Sequence, residues 1–175
     1  MQDAFEMLKL PRRPWLDEAG VRSAFQQAAA QMHPDTTSGS AADFTELTNA
    51  YQTLREPAKR LLHLLALESS DLPLPAGAPA ELMPLFPLIA GVRQKLDRME
   101  SETDILPIRK EAHQVSEQLK HAMDTALLEL READAAWPSA SATRMVAALQ
   151  SRLTFLEKWH SQLREALLRL DIGTV

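Results

Sequence analysis

The chain has 175 residues, 45% of them hydrophobic, and a formal net charge of -5, enough for one domain or two small ones around a buried core. It contains no cysteine, which removes disulfides and thiolate metal ligation. Its lysines and arginines are scattered through an acidic chain, which argues against binding nucleic acid through phosphates. Five glycines and 5% aromatic residues, in a background of Ala, Leu, Glu, Gln and Arg, predict an all-α protein. The start, Met1 to Glu6, lacks the basic flank and apolar run of a signal peptide. No apolar run approaches the roughly 18 residues that span a bilayer, so the expectation is a cytoplasmic protein without membrane contact.

Asp3 predicts an N-cap for a first helix of about two turns, with Phe5, Leu8, Met7 and Leu10 on one face and Pro11-Arg12-Arg13-Pro14 as its stop. Trp15 beside Pro14 reads as a staple for the next helix. Asp17 is a second N-cap, followed by Glu18 in the first turn. Val21, Ala24, Phe25, Ala28 and Met32 then recur at steps of three and four. Opposite them lie Arg22, Gln26, Gln27 and Gln31. His33-Pro34-Asp35 ends this helix, because proline cannot continue the hydrogen-bond ladder and drives the residue before it out of the helical region. After Thr36 to Ser40, a capping box and the series Phe44, Leu47, Tyr51 and Leu54 predict a third helix, antiparallel to the second. Pro57 breaks it. Leu61, Leu62, Leu64, Leu65 and Leu67 follow on more than one face, as expected of a segment buried on two sides.

Between Ser69 and Pro87 five prolines fall close together, marking a linker, assigned to residues 71–80, between a first domain at 1–70 and a second at 81–175. Three apolar series come next. They are Leu85, Leu88, Ile89, Val92, Leu96 and Met99; then Ile108, Val115, Leu119, Ala122, Ala126 and Leu130; then Val146, Leu149, Leu153, Leu156, Leu163, Leu167 and Leu170. Pro107 and Pro138 sit where a helix start tolerates proline. Short connections predict an antiparallel three-helix bundle.

A His-Pro-Asp corner between two helices suits docking onto a partner. The plainer reading is a polar turn, since proline and aspartate commonly stop helices. A hydrolase built on His33 and Asp35 is disfavoured: adjacent loop residues cannot surround a substrate, and no activated nucleophile stands beside them. No catalytic residue, cofactor or metal site is therefore assigned. His113, Glu117 and His121 recur every four residues, but that spacing spreads them too far along a helix for one ion, and a solvated face is expected. Phe155 and Trp159 point away from the main leucine series. With Leu82, Met83 and Phe86 they are expected to form an exposed apolar patch suited to a protein client; the alternative is that these aromatics pack within the chain.

Residues 3 to 67 resemble a J domain, the module that stimulates ATP hydrolysis by DnaK-type chaperones. The residues that carry the likeness are His33, Pro34 and Asp35, with Tyr51 and Leu54-Arg55-x-Pro57. The run Asn49 to Pro57, followed by Arg60 and Leu64-Leu65-x-Leu67, is similar to the HscB (Jac-type) co-chaperones of iron-sulfur cluster assembly. Trp137 and Arg152 to Lys158 resemble that family's last helix, and Leu82-Met83 with Phe86 its client-binding helix start. The resemblance implies a DnaK/HscA-type chaperone partner, bound through His33, Pro34 and Asp35 with Arg22, Arg12 and Arg13. It implies an iron-sulfur scaffold client at Leu82, Met83, Phe86 and Phe155. Asp35 would accept from a chaperone arginine, a charge-assisted bond contributing about 1.5 to 3 kcal/mol. The helix before the triplet is largely glutamine and alanine outside, so attraction to an acidic surface should be weak. A second reading is thus a J-like interaction protein with weak or no chaperone activation and a different client.

Overall fold

A computed structural model describes residues 2–31, 41–69, 71–99 and 101–172. Among them the regular structure is helical throughout: α1 (Ala4–Met7), α2 (Glu18–Gln31), α3 (Ala41–Arg55), α4 (Pro57–Glu68), α5 (Phe86–Asp97), α6 (Ile105–Ala135) and α7 (Ala140–Ile172), with 3-10 turns at Ala80–Leu85 and Glu102–Asp104. Contacts divide the chain into two units. The first comprises residues 1–75 and 129–150, the second 76–128 and 151–175.

In the first unit, Asp3 caps α1 by accepting hydrogen bonds from the Phe5 and Glu6 amides. The helix stops after one turn, short of the prolines. Lys9 adopts a left-handed conformation with φ of 53°, the Lys9 amide donates to Glu6 O at 3.0 Å, and the Leu10 amide donates to Phe5 O at 2.9 Å. This pairing satisfies carbonyls that a helix end otherwise leaves open. Phe5 is thereby held fully buried in a cluster with Ala4, Leu8, Val21, Leu47, Ala50, Leu54 and Leu64. Burying such a side chain contributes about 1.5 to 3 kcal/mol. Phe25 of α2 stacks on Tyr51 of α3, with ring centroids 4.4 Å apart, and joins the two helices of the antiparallel hairpin.

The predicted stripe on α3 needs one correction. Leu47 and Leu54 are buried but Phe44 is 41% exposed, because the cluster takes its α3 residues from Leu47 onward and the first turn extends past it. On α4, Leu61, Leu64 and Leu65 are buried whereas Leu62 is exposed. Trp137, from the turn before α7, packs against the same cluster as Phe5.

The second unit is an antiparallel three-helix bundle, and its ion pairs fix the helix directions. Lys95 near the end of α5 pairs with Glu111 near the start of α6. Arg109 of α6 pairs with Asp171 near the end of α7 at 3.1 Å and donates to the Leu170 carbonyl. Arg169 reaches Asp97 of α5 at 3.4 Å. So α6 runs against both α5 and α7. Ile89, Val92, Leu96, Ile108, Val115, Leu119, Leu153, Leu156, Leu163 and Leu170 are buried. Most of the apolar series read from the sequence faces inward, with Leu88 left 37% exposed.

Candidate functional site

Of the six residues assigned to a chaperone, His33, Pro34 and Asp35 lie outside the described residues, as does Met32. The three arginines are described, and each is engaged within the chain. Arg12 donates through Nε to Asp3 at 2.8 Å and through Nη1 to Glu68 at 3.0 Å. Arg13 reaches Asp134 at 2.8 Å and also donates to the Asp134 carbonyl at 3.0 Å. Arg22 pairs with Glu18 one turn back, 2.9 Å away. These pairs are half-exposed or more on the arginine side, so each contributes little stability. What they alter is the surface, which presents neutralised ion pairs instead of open cations.

Asp134 lies far along the chain from its partners, and pattern reasoning missed it. Its carboxylate also accepts from the Trp15 amide at 3.2 Å, while the Arg131 guanidinium sits 4.8 Å from the Trp15 ring centroid. Trp15 thus ties the start of α2 to the end of α6, beyond the local stapling expected of it.

Two buried polar side chains of α4 lock the helices in place. Arg60 is 4% exposed; its Nε donates to Pro14 O at 2.9 Å and its Nη1 to Leu54 O at 2.7 Å. The Leu54 carbonyl belongs to the last turn of α3, where intrahelical donors run out and a cation is favourable. His63 accepts from the Ala4 amide through Nε2 at 3.0 Å and stacks on Phe5. An accepting Nε2 requires the neutral ring on that nitrogen. Burial lowers the His63 pKa below its ordinary 6.5, against an opposing pull from Asp3 and with Arg12 adding to the lowering. Burial would raise the Asp3 pKa, but hydrogen bonds from Arg12, Glu6 and Phe5 and the Arg12 charge outweigh it, and the net shift is downward.

In the second unit the client candidates divide. Met83 and Phe86 are 51% and 54% exposed, Phe155 is half-buried, and Leu82 is buried at 3%. Trp159, expected in the open patch, is also buried. Its ring is covered by Phe86 at 6.3 Å and Phe155 at 5.8 Å. The α5 to α7 groove beside them, about 390 Å³, is lined by Phe86, Ile89, Arg93, Gln94, Asp97, Arg98, Trp159 and Gln162 among others. His113, Glu117 and His121 are exposed on α6, and among the described residues no three His, Asp or Glu side chains converge as metal ligands. No helix among the described residues is long and apolar enough to cross a membrane.

Residues 3–63 match the DnaJ domain family model. Together with the helical hairpin, the short first helix and α4, this identifies residues 3–63 as a J domain. The co-chaperone protein HscB homolog of Chromobacterium violaceum is 41% identical over 78 residues, 40% of this chain and less than half of that relative, at 45%. The HscB homolog of Burkholderia multivorans is 28% identical over 182 residues, 95% of each chain. The chaperone HscB from Vibrio cholerae has the same fold, with a TM-score of 0.63 at 18% identity over 97% of this chain and 99% of that one. Human co-chaperone protein HscB gives 0.57 at 19% identity, over 94% and 82%. The chain thus carries a J domain at residues 3–63 and is similar over nearly its whole length to an HscB co-chaperone homolog, whose fold it shares.

Proposed function

We propose that the chain is a non-enzymatic co-chaperone of the cytoplasm whose J domain stimulates ATP hydrolysis by a DnaK-type chaperone, and whose bundle carries a protein client to it. The observation that carries this reading is the DnaJ-domain match over residues 3–63, a span that includes His33-Pro34-Asp35 between α2 and α3. Asp35 supplies the acceptor for a chaperone arginine, with His33 and Pro34 fixing the corner that presents it. A single charge-assisted bond of about 1.5 to 3 kcal/mol biases a two-state ATPase without holding a long-lived complex. Transient contact suits a catalyst of chaperone cycling.

For the client we infer an iron-sulfur cluster scaffold, held at Met83, Phe86 and Phe155 over the buried support of Leu82. The likeness of the Asn49 to Leu67 run to HscB proteins supports that class, and the exposed Phe86 ring supports the place. Arg12, Arg13 and Arg22 lie in ion pairs, which favours a second reading in which the J domain binds a chaperone too weakly to activate it. One assay decides between them. Single-turnover ATP hydrolysis by a DnaK-type chaperone is measured with the full chain and with Asp35→Asn. Stimulation by the wild type that drops to the unstimulated rate in the variant is the expected result. Equal rates for the two chains would remove the role of Asp35, and no stimulation by either would favour the second reading.

A further inference from the structure

The groove between α5 and α7 has a chemical character that the apolar client patch alone does not explain. Its floor is aromatic: Trp159 lies under Phe86 and Phe155, and the Phe86 ring remains 54% exposed. Its rim is cationic. Arg93 and Arg98 both line it and both are exposed, and among the described residues neither has an ion-pair partner. The one carboxylate lining the groove, Asp97, is met by Arg169 at 3.4 Å. Glu165 stands one turn further along α7, in the neighbouring cleft that Arg93 and Arg169 also line. Within the groove's own lining Arg93 and Arg98 stand against the single carboxylate Asp97, a local excess of cations in a chain whose total is -5, while the clefts on either side add Glu165 and Arg169, and Lys95, Asp104 and Glu111.

A guanidinium that meets no carboxylate among the described residues, beside a half-open phenyl ring, offers its donors to planar carboxylates. We propose that this groove binds an acidic segment of the protein client, one that seats an apolar side chain against Phe86 and Trp159 and places carboxylates on Arg93 and Arg98. The inference rests on the co-chaperone reading and names the chemistry of its client. The apolar anchor supplies most of the affinity and the two arginines select among anchors by charge. Other anionic polymers meet the chain's overall negative charge without an anchor for the aromatic floor.

The test uses the full chain and a set of synthetic twelve-residue peptides with one Leu-Phe anchor, flanked by glutamates, by glutamines or by lysines. Titration calorimetry at low salt should rank them glutamate, glutamine, lysine. Two exposed charge pairs separate the first two by about fivefold in Kd. That gap should shrink as salt rises toward the range where screening acts within about 10 Å. The Arg93→Gln, Arg98→Gln double variant should erase the glutamate preference while retaining the glutamine peptide's affinity. Arg93→Glu with Arg98→Glu should invert the order. Equal binding of the three peptides by the wild type, an unchanged ranking in the variants, or tighter binding of a single-stranded oligonucleotide than of any peptide would each overturn the proposal. Chaperone ATPase stimulation is measured in parallel on the wild type. Stimulation without a charge ranking removes the groove alone, whereas a charge ranking without stimulation removes the co-chaperone reading and leaves the groove as a peptide site of another kind.

Discussion

Replacing Arg60 by Met tests whether a buried cation holds the first unit together. Two carbonyls, from Pro14 and Leu54, lose the donors that meet them at 2.9 and 2.7 Å, and hydrogen bonds to a charged group contribute about 1.5 to 3 kcal/mol each. The last turn of α3 also loses a cation, worth about 0.3 to 1 kcal/mol. Against this, Met does not carry the desolvation cost of a buried charge, which amounts to several kcal/mol. The net expectation is a loss of about 2 to 3 kcal/mol. With a urea slope near 2 kcal/mol per M, the unfolding midpoint falls by about 1 to 1.5 M. Tryptophan fluorescence in a Trp159→Phe background isolates Trp15 and Trp137, both in the first unit. Arg60→Lys should lie between wild type and Arg60→Met, because one ammonium cannot match the planar fork that meets both carbonyls. An Arg60→Met midpoint within about 0.3 M of wild type would show that the guanidinium does not hold the end of α3.

Acidification should weaken the same unit through His63. In the unfolded chain this ring protonates near 6.5, while in the folded chain it does so only at lower pH. Between those values the unfolded state binds more protons, so the stability is complete above about pH 6.5 and is lost as pH falls below it. His63→Gln keeps an acceptor for the Ala4 amide without a titrating ring, and urea midpoints between pH 7 and 5 should flatten in that variant; a slope identical to wild type would assign the effect to other groups. Asp134→Ala removes the partner of Arg13 and of the Trp15 amide. It should cost about 1 to 2 kcal/mol, mostly from the unpaired amide, since Arg13 is half exposed. A double-mutant cycle with Arg13→Ala measures the share of the ion pair, and a coupling above about 1 kcal/mol would contradict that division.

Local signals made much of this fold legible. Asp3 caps α1, Pro57 opens α4 and Pro107 lies in the first turn of α6, each for a reason that concerns only a few neighbouring residues. The three C-terminal apolar series needed only their helical period. Contacts between distant residues were illegible. Nothing near Arg13 points to Asp134, and nothing in the spacing of Phe155 and Trp159 reveals that Phe86 will cover the indole. The early stop of α1 was missed because Lys9 carries no glycine or asparagine signal for its left-handed backbone. Arg93 and Arg98 were passed over because one arginine within a helix and another at its C-cap look like ordinary solvated charge until the groove beside them is seen.

The first unit draws residues 129–150 into its packing along with residues 1–75, and this has a consequence for biosynthesis. While the ribosome is still making the chain, Trp137 and Asp134 do not yet exist to cover Trp15 and the cluster around Phe5. At ordinary elongation speeds the amino-terminal helices wait on the order of five to fifteen seconds for that cover. The nascent chain therefore spends that interval with an incomplete apolar surface, the kind of surface on which the class of machine it is proposed to assist acts.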